Sequence, residues 1–166
     1  MPQVYKTYFQ SEIGLLEIVG TDGSIRKVNF VEGEVGNEAM LQSDLPPEMS
    51  ACLAQLGAYF RGDRREFSLK LEPGGTDFQK AVWRQLLTIP YGQTVSYLDI
   101  ARQVSNEKAV RAVGAANGQN PIAIIVPCHR VVGSNGQLTG YGGGLWRKAW
   151  LLNHEKKFSG PQMALF

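Results

Sequence analysis

Glu72-Pro73-Gly74-Gly75 interrupts this 166-residue chain near its middle. Proline has no backbone N–H to donate and glycine admits conformations closed to other residues, so neither a helix nor a strand runs through. A chain of this length has room for one substantial core or two small ones, and the break is the natural seam between two. Formal charge changes sign at the same place. Residues 1–75 carry 7 Lys and Arg against 11 Asp and Glu, a balance of −4. Residues 76–166 carry 10 against 4, a balance of +6, so the overall +2 conceals the asymmetry. A basic half suits a polyanionic partner, and random sorting of surface charge gives the same balance.

Other function classes drop out early. Hydrophobic residues at 43% and charged residues at 19% are globular usage, not that of a disordered chain. No apolar run approaches ~20 residues, so no membrane-spanning helix is expected. The opening Met1-Pro2-Gln3-Val4-Tyr5-Lys6 lacks an apolar signal stretch. Two cysteines, Cys52 and Cys128, make neither a disulfide scaffold nor a zinc cluster. The expectation is a cytoplasmic protein with no metal and no cofactor.

The front half reads as short strands and one helix. Val4 to Phe9, Leu15 to Val19 and Ile25 to Val31 are rich in β-branched and aromatic residues, with a turn at Thr21-Asp22-Gly23-Ser24. A polar loop is expected over Glu32 to Ser43. Leu45-Pro46-Pro47 then opens an amphipathic helix whose apolar positions are Met49, Leu53, Leu56 and Phe60, stopped by Gly62. Cys52 within it reads as packing, not chemistry. Phe67 to Leu71 is a further strand.

The back half opens with a capping box at Thr76-Asp77-Phe78-Gln79. Phe78, Val82, Leu86 and Ile89 line one side of that helix, Trp83 joins the core, and Pro90-Tyr91-Gly92 stops it. Two helices of about ten residues follow, Thr94 to Val104 and Glu107 to Asn117, joined at Ser105-Asn106 and closed by Gly118. So short a connection suits a helix-turn-helix, although many helical hairpins of this outline bind nothing. Ala109, Ala112, Gly114, Ala115 and Ala116 make the second helix thin, with Lys108 and Arg111 projecting. A thin helix fits a narrow minor groove or packs closely on a neighbouring helix.

An apolar run from Ile122 to Val126 ends at Pro127, followed by Cys128 and His129. A thiol is a nucleophile only as the thiolate, which a nearby imidazole promotes. Neighbours on an extended strand point apart, so a working pair requires the chain to turn at Pro127. Without a turn, the pair is a buried Cys beside a surface His.

The string Asn120-Pro121 through Pro127-Cys128-His129-Arg130-Val131 resembles the active-site signature of the O6-alkylguanine-DNA alkyltransferases, the methylated-DNA–protein-cysteine methyltransferases. The resemblance extends through Tyr91-Gly92, Val95-Ser96-Tyr97, Ala109 to Gly114, Tyr141-Gly142-Gly143-Gly144 and Trp150 to Glu155. It covers about residues 74–155. It implies an α/β (α+β) chain, with a small β-sheet domain carrying a helix over 1–74. Residues 75–166 would form a mainly helical domain with a winged-helix-like helix-turn-helix.

The resemblance also implies roles. Cys128 takes the alkyl group from guanine O6, irreversibly and once per molecule. His129 draws off the thiol proton through a water, and Glu155 orients the imidazole. Tyr97 supplies a proton at ring N3, and Asn120 ties the active-site turn in place. The backbone of Val126 and Cys128 forms the base pocket with Tyr141, Gly142 and Gly143. Arg111 fills the space of the flipped nucleotide, with Ala112 on the thin helix in the minor groove, and Asn106 and Ser134 touch the backbone. Gly142 stands where other members carry Ser, which bears on tolerance of bulky adducts. The implied partner is double-stranded DNA containing O6-alkylguanine, with O4-alkylthymine a second candidate lesion. No obligate protein partner is implied and a monomer is expected. A Cys-His hydrolase and a non-reactive lesion-binding module are the rival readings.

Overall fold

The computed structural model describes residues 3–33 and 44–160 and contains two compact units. Most of the loop expected over Glu32 to Ser43 lies outside the described residues. One unit comprises Met1–Gly75 with Pro121–Ile125, and the other Thr76–Asn120 with Val126–Phe166. The sequence expectation drew its division at 74/75 alone.

In the first unit, β1 (Tyr5–Ser11), β2 (Gly14–Gly20) and β3 (Ile25–Val31) form an antiparallel sheet in that order. Leu16 and Ile18 of β2 and Ile25 and Val28 of β3 are fully buried. Thr21 and Ser24 close the turn between β2 and β3 through a backbone bond of 2.8 Å and a buried hydroxyl pair at 2.9 Å. Helix α1 (Pro47–Arg61) starts with proline in its first turn and ends on Gly62 at φ +82°. Its buried stripe is Met49, Cys52, Leu56, Tyr59 and Phe60. Cys52 therefore holds the place expected of Leu53, which is only half-buried. Burial pushes the Cys52 thiol up to about 12, as packing without chemistry requires.

The expected strand at Phe67 to Leu71 reduces to one parallel bridge. Ile25 donates to Lys70 O and accepts from Glu72 N, both at 2.8 Å. The reason lies further along the same edge of β3. There Val28 donates to Pro121 O at 2.9 Å and accepts from Ala123 N at 2.8 Å, so a segment from the back half holds the rest.

The second unit opens with α2 (Asp77–Leu86), whose Thr76–Gln79 capping box is complete in both directions. Trp83 is buried and donates its indole N–H to Ala116 O at 2.8 Å. Next come β4 (Val95–Ser96), α3 (Tyr97–Val104), a 3-10 turn at Glu107–Ala109 and α4 (Val110–Gly118). Helices α2, α3 and α4 pack on one another. A 3-10 turn at Cys128–Arg130 leads into β5 (Val131–Val132), which pairs in parallel with β4, and α5 (Leu145–Phe158) completes the unit.

Several boundaries differ from expectation: α2 ends at Leu86, short of the expected Ile89, and α4 begins at Val110, behind a 3-10 turn, where Glu107 was expected. The helix expected from Thr94 starts at Tyr97, because Val95 pairs with Val131 and Ser96 serves as N-cap in a second capping box, with Asp99. Gly118 closes α4 from inside: Gln119 follows at φ −93°, so no left-handed residue is called for.

Thr76→Ala removes the cap that accepts from Gln79 N at 3.1 Å. The expected loss is about 1 kcal/mol of folding stability in urea titration. An unchanged midpoint contradicts the capping account.

Candidate active site

Two tight turns shape the segment that carries the thiol. Ile125 N donates to Ala123 O at 2.8 Å around Ile124, whose φ of +71° is a strained value for a β-branched residue. Cys128 N donates to Val126 O at 2.8 Å around Pro127, at φ −83° and ψ 64°, the dihedrals of an inverse γ-turn. Arg130 N then donates to Pro127 O at 3.0 Å, winding the chain into its 3-10 turn. Cys128 and His129 are therefore not on an extended strand, which meets the condition set by their adjacency.

Side chains from α4 and its exit hold this turn. The Asn120 amide donates to Val126 O at 2.8 Å, the carbonyl that also receives Cys128 N–H. Asn117, the penultimate residue of α4, donates to Cys128 O at 3.3 Å. The thiol is 7% exposed. Burial pushes it above its ordinary value, while Asn120 and the Lys148 charge pull the other way. At neutral pH the resting group is the thiol, and a base is needed to ionise it.

The residue next in the chain is an imidazole. His129 and Glu155 are fully buried, and Nε2 lies 2.7 Å from Oε2. Arg130 grips the same carboxylate with two bonds, Nε to Oε1 at 2.8 Å and Nη2 to Oε2 at 2.9 Å, while its Nη1 donates to Ile89 O at 2.7 Å. Gly92 N adds a longer bond of 3.3 Å to Oε1. Burial alone would raise the Glu155 carboxyl; the His129 and Arg130 contacts overcome it and hold the group well below the usual carboxylate range. His129 goes down too, chiefly through burial, with Glu155 opposing and Arg130 and Lys148 assisting. The imidazole is neutral beside an ionised carboxylate. The hydrogen-bond network therefore assigns the ring proton to Nε2, leaving Nδ1 with its lone pair. Nδ1 is buried and has no hydrogen-bond partner within the protein.

Tyr97, at the first position of α3, donates its hydroxyl to Thr139 O at 3.0 Å. Lys148 Nζ donates to Thr139 O at 2.7 Å, to Gly140 O at 3.2 Å and to the Tyr97 hydroxyl at 3.5 Å. Its burial lowers the ammonium to about 8, against a raising influence from Cys128. Tyr141 also has a buried, unpartnered hydroxyl, raised first by burial and then by the nearby Cys128. Gly144 N closes the Tyr141–Gly144 turn on Tyr141 O at 2.9 Å, with Gly142 and Gly143 inside it.

Hydrogen bonds thus join Asn120, Val126 and Cys128 in one set and His129 and Glu155 in another, with Cys128 and His129 consecutive. Tyr97 belongs to the Lys148 cluster. Arg111 and Ala112 are exposed on the first turn of α4, and Asn106 and Ser134 are exposed as well. Asn106 also caps the 3-10 turn, accepting from Lys108 N at 2.8 Å. Sequence reasoning missed Lys148, Asn117 and the part played by Arg130. Lys148 carried a signal: it shares the buried stripe of α5 with Leu151 and Glu155, at i, i+3 and i+7. Among the described residues no group of three His, Cys, Asp or Glu is placed to hold a metal ion, and no helix is long and apolar enough to cross a membrane.

Two family models match. One, described as 6-O-methylguanine DNA methyltransferase, DNA binding domain, covers residues 77–157, and the other, the ribonuclease-like domain of the same family, covers residues 4–73. The methylated-DNA–protein-cysteine methyltransferase of Mycolicibacterium paratuberculosis is 47% identical over 98% of each chain. That of Methanosarcina acetivorans is 47% identical over 92% of this chain and 98% of its own. The crystal structure of Mycobacterium tuberculosis O6-methylguanine methyltransferase superposes with a TM-score of 0.85 at 46% identity over 99% of each chain. A structure of Mycobacterium tuberculosis OGT in complex with DNA gives 0.82 at 45%, over 97% of this chain and 98% of that one.

The His129–Glu155 pair makes stability acid-sensitive with a defined sign. Both groups have folded values below their unfolded ones, so each contributes stability above its unfolded value and loses it on acidification. Stability is expected to fall first below about pH 6.5, as His129 protonates in the unfolded chain, and again below about pH 4.3 through Glu155. Glu155→Gln abolishes the second fall and costs about 3–5 kcal/mol at neutral pH, because Arg130 is left buried without its counter-charge. Chemical denaturation from about pH 7 to about pH 2 measures both, and a flat wild-type profile contradicts the assignment.

Proposed function

The chain belongs to the 6-O-methylguanine DNA methyltransferase family and repairs alkylated DNA by direct reversal, moving the alkyl group to a cysteine, and we propose that this cysteine is Cys128. DNA is its partner. The observation that carries the residue assignment is the His129 ring. Its Nε2 is held by an ionised Glu155, and its Nδ1 is a buried acceptor with nothing in the protein to accept from.

The Cys128 thiol proton passes through a bridging water to His129 Nδ1. The thiolate sulfur attacks the alkyl carbon, forming the S–C bond as the C–O6 bond breaks. The electron pair goes to the guanine, which takes a proton at N3 from the Tyr97 hydroxyl. Glu155 stabilises the imidazolium, the role of the orienting acid in a catalytic triad. The product is a thioether, which thiol exchange does not cleave, so each molecule acts once. Asn120 and Asn117 position the Cys128 turn without touching substrate. Val126, Tyr141, Gly142 and Gly143 line the base pocket.

Reaction at O6 requires the nucleotide to leave the stack. α4 enters the minor groove on its thin face, where Ala112 and Gly114 keep it narrow, and Arg111 fills the space the base vacates. Asn106 and Ser134 contact the phosphodiester backbone. Recognition rests on one base in a pocket, so DNA binding is independent of sequence and sensitive to salt. We assign O6-alkylguanine in double-stranded DNA as substrate, a cytoplasmic monomer as the working form, residues 1–74 as scaffold and residues 75–166 as the reacting domain. The basic balance of that half suits its partner.

Incubation with a duplex containing one O6-methylguanine should add one methylene mass to the Cys128 peptide. Cys128→Ser should bind the duplex and take up nothing, because a serine hydroxyl is scarcely ionised at neutral pH. Near wild-type transfer by that variant excludes Cys128 as the acceptor, and repeated turnover by the native protein favours hydrolysis instead.

Arg111→Ala separates base flipping from chemistry. Alkyl uptake from a paired lesion should fall by about tenfold, part of the unstacking cost no longer being offset, with little loss on free O6-benzylguanine. Equal losses on both substrates contradict the role.

A further inference from the structure

We propose that Trp146 and Arg147, in the first turn of α5, brace the Tyr141–Gly144 loop and thereby decide how large an alkyl group the site accepts. The inference rests on the reading of Cys128 as the acceptor and of this loop as pocket wall.

The loop cannot hold its own shape. After Tyr141 it is three glycines, which lose the most conformational freedom on ordering and have no side chains to wedge. Gly142 is open, with nothing within 4 Å of where a Cβ would stand. Stiffness must therefore come from outside, and two neighbouring side chains supply it. The Trp146 indole lies against Gly144: a Cβ there would sit 3.3 Å from Cδ1 and 3.4 Å from Nε1. Arg147 lies over the indole, its Cζ 4.6 Å from the ring centroid, and donates from Nη1 to Gly143 O at 2.9 Å. The arginine charge also acts on the Tyr141 hydroxyl at the start of the loop.

Trp146 is 58% exposed, the most exposed of the large apolar side chains among the described residues. A tryptophan left this open adds little to a core. Stacked between a guanidinium and a glycine backbone, it instead fixes the position of Gly144, while Arg147 fixes that of Gly143. The wall between Tyr141 and α5 is thus held at a set distance, close enough for a small adduct. Loosening it widens the pocket, which harms a methyl group that depends on close placement and spares a benzyl group that fills the extra space.

The test compares single-turnover alkylation of wild type, Trp146→Ala, Trp146→Phe and Arg147→Ala on two duplexes, one with O6-methylguanine and one with O6-benzylguanine. Free O6-benzylguanine serves as a DNA-independent control. For both alanine variants, methyl transfer should drop by about tenfold while benzyl transfer stays within about twofold of wild type. Trp146→Phe, which keeps a ring for Arg147, should restore the wild-type ratio. Unchanged ratios, or equal losses of methyl and benzyl transfer, overturn the brace. So does a loss seen on both duplexes but absent on the free base, which assigns Trp146 to DNA contact. Failure of the wild type to take up either group rejects the reading of Cys128 and not the brace.

Discussion

One buried carboxylate organises the reacting unit. Glu155 is out of contact with water, yet it is ionised, and its oxygens receive His129, both donors of the Arg130 fork and the Gly92 amide. Moving a carboxylate out of water costs several kcal/mol, and attraction to a partner recovers this only where the remaining lone pairs are satisfied. Here they are. The consequence is geometric: α5, the 3-10 turn at Cys128–Arg130 and the loop after α2 must meet at one point. Arg130 extends the requirement to Ile89 O, earlier in that same loop. A hydrophobic replacement of similar volume would pack as well but would not orient an imidazole.

Orientation is what the chemistry takes from this cluster. A carboxylate held ionised can only accept, so His129 must donate from Nε2, and the lone pair of Nδ1 follows. Arg130 tempers the arrangement. By sharing the carboxylate it draws charge away from the imidazole, which together with burial keeps the ring neutral at rest. Burial is the larger of the two influences, and Arg130 adds to it. In the proposed reaction the residue after His129 thus supports the resting state of the base.

The strands and helices were legible wherever the information was local. β-Branched and aromatic residues marked β1 to β3, Pro47 and Gly62 marked the ends of α1, and the hydroxyl-to-Gln spacing marked the start of α2. Where a distant partner decides, local reading failed. Ser96 became a cap and Val95 a strand residue because Val131 lies alongside, and Phe67 to Leu71 stayed short of a strand because residues 121–123 hold the adjoining part of β3. For Cys128, His129 and Glu155, 27 positions separate the first from the last in sequence, and no periodicity links them; a motif resemblance did. Lys148 and Arg130 escaped notice because charged residues are ordinarily solvated. The burial of Arg130 shows only in the tertiary structure, whereas Lys148 left a trace in the helical spacing it shares with Leu151 and Glu155.

Backbone strain gives the last link between fold and reaction. Ile124 at φ +71° adopts a conformation costing about 1–3 kcal/mol for a residue of its kind, and such strain persists only where the surroundings over-determine it. Its side chain is buried, Ile122 before it is fully buried, and Ala123 is bonded to Val28 of β3. Three residues on, the inverse γ-turn at Pro127 turns the chain again, with Val126 O and Cys128 O held by the Asn120 and Asn117 side chains. Held by these bonds beside it, the Cys128 backbone has little freedom of direction. On the proposal that Cys128 is the acceptor, a nucleophile that must meet one carbon gains more from a fixed direction than from intrinsic reactivity, because orientation removes entropy that would otherwise burden the barrier. A buried, neutral thiol on an anchored turn would then trade idle reactivity for alignment, with His129, as proposed, supplying the ionisation.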